Sequence, residues 1–142
     1  MQVWGMQKGT DPINLRPKGT GMPDSRKILL VDDDLDHLSI CKLVLTNRGY
    51  DVLVLWNTDV LLEVVKDFLP GVIFMDHRMP ARNGIEATQL LKSNEATRAI
   101  PVVYFTGVDG GEELSRQAGA DAFLAKPFNI DSLISMVNRF VP

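Results

Sequence analysis

Asp32, Asp33, Asp76, Thr106 and Lys126 are the side chains of this sequence best suited to act together, because they stand at the close of separate short apolar runs. Three carboxylates gathered in one small cleft repel one another and raise at least one pKa. A hard divalent cation removes that penalty, and Mg²⁺ favours a few carboxylate oxygens together with water and phosphate oxygens. A carboxylate is also a competent nucleophile towards phosphorus. The three equatorial oxygens of a phosphoryl group in transit need stabilising charge. Mg²⁺, the Lys126 ammonium, and the Thr106 hydroxyl with nearby backbone amides could supply it. The set therefore fits phosphoryl capture on a carboxylate, without a catalytic His or Cys.

Such a cluster requires elements that end at one place. The apolar runs Ile28–Val31, Val52–Leu55, Val72–Met75, Val102–Phe105 and Ala122–Ala125 are short, largely β-branched or aromatic, and bounded by turn residues, as buried parallel strands are. Helical spacing fills the intervals. Leu35, Leu38, Cys41 and Leu45 form one stripe before Gly49, and Leu61, Val65 and Phe68 form another that ends at Pro70-Gly71. Ile85, Thr88 and Leu91 begin a third helix after Asn83-Gly84, Leu114 and Gln117 mark a short fourth before Gly119, and Ile130, Leu133, Ile134, Val137 and Phe140 mark a fifth. Five β-α units in alternation predict an α/β fold, a five-stranded parallel sheet with helices on both faces. Ligands of such sheets bind at the carboxyl ends of the strands, where the five residues stand.

Composition narrows the function classes. The 142 residues carry 15 Lys and Arg against 18 Asp and Glu, a net charge of −3, which argues against direct nucleic-acid binding. Apolar runs of four or five residues are far too short for a membrane span. One cysteine excludes an internal disulfide, and two histidines with it do not make the usual zinc cluster. A small soluble protein of a reducing compartment is expected, located in the cytoplasm. Residues 1–24 hold four Gly and three Pro with no periodic apolar pattern, and are expected to be a flexible leader, either native or added, before a single domain over 25–142.

With those residues in view, the sequence resembles the receiver domain of two-component response regulators, the CheY-like family, from about Arg26 to its end. The segments KILLVDDD, FMDHRMPARNG, VVYFTG and AFLAKPF carry the likeness, in the family's order. The resemblance implies a flavodoxin-like (βα)5 fold. Asp76 heads the D-x-x-M-P-x-x-x-G pattern through Met79, Pro80 and Gly84, and matches the phosphoacceptor. Asp32 and Asp33 match the acidic pair that binds Mg²⁺ with Asp76, Asp33 being the nearer match to a direct ligand, and Arg78 would lend the metal its backbone carbonyl. Thr106 matches the switch hydroxyl, Lys126 the phosphoryl-binding lysine, and Phe123 the switch aromatic. Gly107 would keep the approach to Asp76 open, while Arg78 and Val108 would tune hydrolysis. Lys126-Pro127 matches a cis peptide bond of the family.

The implied function is a signalling switch that catalyses its own phosphorylation and dephosphorylation rather than turning over a substrate. Its implied partners are a sensor histidine kinase or histidine phosphotransfer protein upstream and a protein target or effector downstream, with a homodimer possible. With no effector domain following the fifth helix, the chain reads as a stand-alone receiver or as a domain of a longer protein. An Asp-nucleophile, Mg²⁺-dependent phosphatase of the haloacid dehalogenase type is the alternative, with Asp32 as nucleophile, although Asp36 stands where that pattern has Thr or Val. A degenerate receiver acting only as an interaction module is another. Plainer expectations attach elsewhere. Asp34 caps the first helix, Cys41 is buried packing, and His37 is exposed on that helix. His77 could affect the site or be structural, and Trp56 and Met75 are packing residues. Gly110-Gly111 should weaken a short fourth helix, and Leu55 and Thr58 should affect local packing alone.

Overall fold

The computed structural model describes residues 24–141. The expected leader, 1–24, lies outside them except for Asp24, which already opens the first strand. The strands are β1 (Asp24–Val31), β2 (Asp51–Leu55), β3 (Pro70–Met75), β4 (Val102–Thr106) and β5 (Ala122–Ala125). The helices are α1 (Leu35–Asn47), α2 (Leu61–Phe68), α3 (Gly84–Lys92), α4 (Gly111–Ala118) and α5 (Ile130–Phe140). All strand pairs are parallel, in the order β2-β1-β3-β4-β5. The order reverses between β1 and β3, which opens a crevice at their carboxyl ends.

Alternating side chains of the same strands build two cores. Leu29, Val31, Ile73, Met75, Val102 and Tyr104 face α2, α3 and α4, whereas Ile28, Leu30, Val72, Phe74, Val103 and Phe105 face α1 and α5. β3 is buried along its whole length, so it reads as a continuous apolar run rather than an alternation. No helix among the described residues is long and apolar enough to cross a membrane.

Several local expectations need correction. Pro70 and Gly71 belong to β3 rather than to a turn, because Leu69 reverses the chain alone in the left-handed region, φ 51°. Leu35 and Ile130 are 58% and 50% exposed, since each begins its helix beyond the reach of the sheet. On α4 the buried positions are Gly111, Ser115 and Ala118, with Gln117 in solvent. Gly110 and Gly111 are structural requirements rather than weaknesses. Gly110 caps the helix at φ 75°, and a Cβ on Gly111 would stand 2.9 Å from Cγ2 of Thr106 and 3.1 Å from the Phe123 ring. Asp34 does cap α1, its side chain accepting from the His37 amide.

Candidate functional site

Strand register assembles the site. Val31 lies opposite both Leu55 and Met75, and the ladder runs one step further on each side. The Asp32 amide donates to the Leu55 carbonyl at 3.1 Å, and the Asp76 amide donates to the Val31 carbonyl at 2.9 Å. Asp32 and Asp76 are therefore neighbours at the crevice. β5 ends beside β4, with Thr106 opposite Ala125 and the Lys126 amide donating to the Thr106 carbonyl at 3.1 Å. The Lys126-Pro127 peptide is cis.

Asp32, Asp33 and Asp76 offer carboxylate oxygens that all lie within 4.8 Å of one another, with Asp32 and Asp76 buried and Asp33 exposed. Lys126 Nζ stands 2.5 Å from Asp32 Oδ2 and 3.6 Å from Asp76 Oδ2. Thr106 is buried at the end of β4, and its hydroxyl accepts from the Val108 amide at 3.4 Å. Arg78 is exposed in the loop after Asp76, Val108 is half-buried, and Gly107 is exposed, where a Cβ would meet the Lys126 backbone at ordinary contact distance. The half-buried Phe123 lays its ring edge against Gly111.

His37 departs from expectation. Instead of standing free on α1, it is only 24% exposed at the side chain and its Nδ1 donates to Asp32 Oδ2 at 2.9 Å. Its ring packs against Phe105 and Phe128, with centroids 5.5 and 5.4 Å away, and its Nε2 lies 3.7 Å from the buried Cys41 sulfur. The only sequence signal was its place five residues beyond Asp32, about one and a half turns into the loop and helix. Thr58 departs too. Far from affecting packing alone, its buried hydroxyl bonds to the loop after Asp76, with the Pro80 carbonyl at 2.9 Å and the Arg82 amide at 2.8 Å. His77 contacts the site through its amide, which donates to Asp76 Oδ1 at 2.8 Å, while its ring meets the Tyr104 hydroxyl. Met75 is buried packing, and Trp56 packs half-buried on the α1–α5 side of the sheet.

The electrostatics set the two buried carboxylates apart. Burial raises the Asp32 pKa, but hydrogen bonds from His37, Lys126 and the Asp34 amide outweigh it and bring the group down to about 2. Burial and the charge on Asp32 push Asp76 up to about 6, against the opposing pull of Lys126, the His77 amide and the Thr106 hydroxyl. The hydrogen bond to Asp32 and that to Cys41 raise His37 to about 9, so its ring is cationic at neutral pH. Two cations thus serve Asp32, while Asp76 and Asp33 keep an excess of negative charge between them. An all-oxygen donor set with unbalanced charge, one member of it solvent-facing, fits a hard divalent cation such as Mg²⁺.

A doubly wound parallel sheet with an acidic pocket at its switch point, and a lysine from the end of β5 reaching into it, is the arrangement of a receiver-type domain. The model for the response regulator receiver domain matches residues 28–138, and the chain belongs to that family. It is similar to the polar-differentiation response regulator DivK of Brucella anthropi, 28% identical over 122 residues, which are 84% of this chain and 98% of that protein. Among solved structures it is similar to the receiver domain of the sensor histidine kinase PA1611 of Pseudomonas aeruginosa PAO1. That likeness has 28% identity and a TM-score of 0.75, and it covers 81% of this chain and 96% of that one. That structure has a magnesium ion coordinated in its active site cleft. The chemotaxis response regulator CheY4 of Vibrio cholerae is similar at 25% identity and a TM-score of 0.74, over 84% of this chain and 98% of that one. The protein is a receiver domain of two-component signalling, and the phosphatase alternative falls with that assignment.

Proposed function

We propose that Asp76 takes a phosphoryl group from a phosphohistidine on a sensor kinase or phosphotransfer protein, in a Mg²⁺-dependent reaction that the receiver itself catalyses. The observation that carries this reading is the meeting of Asp32, Asp33 and Asp76 within one pocket, with Lys126 Nζ 3.6 Å from Asp76 Oδ2. A carboxylate oxygen of Asp76 attacks phosphorus, the bond to the imidazole nitrogen breaks, and the imidazole leaves with that electron pair. The His77 amide on Oδ1 orients the carboxylate, leaving Oδ2 on the Lys126 side. Bound Mg²⁺ would supply charge for the transferring oxygens, held by Asp33, Asp76 and the Arg78 carbonyl, with Asp32 beside them. Lys126 and the Thr106 hydroxyl then hold the phosphoryl oxygens.

Capture of the phosphoryl group draws Thr106 inward and lets Phe123 follow, which alters the α4–β5–α5 face read by a downstream protein. A phenyl ring fills that space without a hydroxyl's hydrogen bond, so the output rests on shape. Arg78 and Val108 flank the water path and tune hydrolysis, and Gly107 keeps the donor's approach open. The working unit is the domain over 25–142, acting in the cytoplasm. The test is phosphorylation of the full chain by phosphoramidate with Mg²⁺. Wild type should gain acid-labile phosphate and D76N should gain none. Phosphate on D76N overturns the acceptor assignment, and silence of the wild type, with no amide shifts on adding beryllofluoride and Mg²⁺, favours the interaction module.

A further inference from the structure

The loop His77–Asn83 contains the Arg78 carbonyl assigned above to the metal, and two buried hydroxyls from other elements hold it. Tyr104, on β4, is fully buried, and its hydroxyl lies 2.6 Å from His77 Nδ1. This hydrogen bond ties the His77 ring to the buried end of β4. The same residue, His77, donates its amide to Asp76 Oδ1 and gives its carbonyl to the Gly84 amide at 2.8 Å. Gly84 is glycine because a Cβ there would collide with the Asp76 carbonyl oxygen and the Tyr104 hydroxyl. Tyr104 therefore fills the space directly beneath the loop.

The second anchor lies across the loop. Thr58, in the loop between β2 and α2, is fully buried. Its hydroxyl reaches the Pro80 carbonyl at 2.9 Å and the Arg82 carbonyl at 3.1 Å, and accepts from the Arg82 amide at 2.8 Å, while the Arg82 guanidinium returns to the Thr58 carbonyl at 3.1 Å. Between those points Ala81 has φ 75°, and the Arg82 amide bonds the Pro80 carbonyl at 3.0 Å. That is a γ-turn of the rare, strained hand, which persists only when its surroundings over-determine it. One anchor thus acts one residue before Arg78 and the other begins two residues after it.

We propose that Tyr104 and Thr58 are positioning residues for phosphoryl transfer: their hydroxyls pin the loop on both sides of Arg78, so that its carbonyl and the His77 amide are in place before metal or donor arrives. The proposal rests on the receiver reading above. Preorganised outer groups of this kind alter metal affinity and rate roughly tenfold or more when lost.

The experiment uses the full chain, with Y104F and T58V removing one hydroxyl each at nearly constant shape, and T58S restoring it. Magnesium chloride alone is titrated calorimetrically, and phosphoramidate kinetics give KM and kcat separately. Each hydroxyl-less variant should bind Mg²⁺ roughly tenfold more weakly and lose kcat, with KM for phosphoramidate little changed and T58S close to wild type. Folded variants with wild-type Mg²⁺ affinity and kcat, and only lowered thermal stability, overturn the proposal. Should a variant fail to fold, amide exchange in the wild type without Mg²⁺ decides. The Arg82 and Gly84 amides should be protected, and free exchange there overturns the proposal. A wild type that neither binds Mg²⁺ nor takes phosphate sinks the phosphoacceptor reading and this proposal with it, whereas an active wild type beside unaffected variants sinks this proposal alone.

Discussion

Asp76 and Asp32 are the same residue type in the same pocket, yet their surroundings drive them in opposite directions. Asp76 lies at about 6, above its unfolded value, chiefly through burial and the Asp32 charge, so the native state holds its proton more tightly than the unfolded chain does. Its contribution to stability is therefore present below about pH 4 and lost as pH rises through about 6. Without Mg²⁺, D76N should be more stable than wild type by about 2 kcal/mol at pH 7, with the gap closing towards pH 4. Urea unfolding across that range measures it. His37 carries the opposite charge and a raised pKa, about 9, owing first to its hydrogen bond to Asp32. Its contribution is complete below about pH 6.5 and is lost as pH passes about 9. His37→Gln keeps a donor without the charge. It should cost about 1–2 kcal/mol at pH 6 and little at pH 10, read from the same unfolding curves.

The fourth β-α unit shows how an element is shaped by what it must pass over. Counted by propensity, replacing a helical glycine with alanine gains about 1 kcal/mol. Gly111 lies against the Thr106 methyl and the Phe123 ring, so G111A should instead destabilise the protein by about 1–3 kcal/mol through overpacking. Chemical denaturation gives the sign, and a stabilised G111A would show that α4 can lift away from β4 at no cost. The neighbouring α3 has the reverse character. Asn83 and Glu86 form a reciprocal capping box, with Asn83 Oδ1 accepting from the Glu86 amide at 2.9 Å and Glu86 Oε1 from the Asn83 amide at 3.1 Å. Those bonds end the loop after Asp76 in a fixed helix start, and the loop enters the pocket from a firm base.

Across the molecule, the sheet separates two cores and leaves its polar business at one end. Buried charge there weakens the metal-free state, and a cation bound only by the native fold adds stability by mass action. Magnesium chloride at about a hundred times its dissociation constant should raise unfolding stability by about 2.7 kcal/mol, and EDTA should reverse it. The gain should shrink in D76N, which has one carboxylate fewer. An equal gain in both proteins would put the ion elsewhere.

Fold class and the order of the strand-end residues were legible in the sequence, because strand burial and helical stripes are local patterns of period two and near four, and turn residues mark where each run stops. So were the resemblance to receivers and the cap at Asp34, which depend on neighbours in the chain. His37 was misread as exposed and Thr58 as mere packing, and Tyr104 drew no notice at all. Their partners explain why. Thr58 meets Pro80 and Arg82 at separations of 22 and 24 residues, Tyr104 meets His77 at 27, and the cation beside His37 on Asp32 comes from 94 residues away. Hydrogen bonds between distant residues leave no periodic trace in a sequence. They exist only after strand register has set the ends of β1, β2, β3, β4 and β5 side by side, and packing then selects which polar groups are near enough to pair.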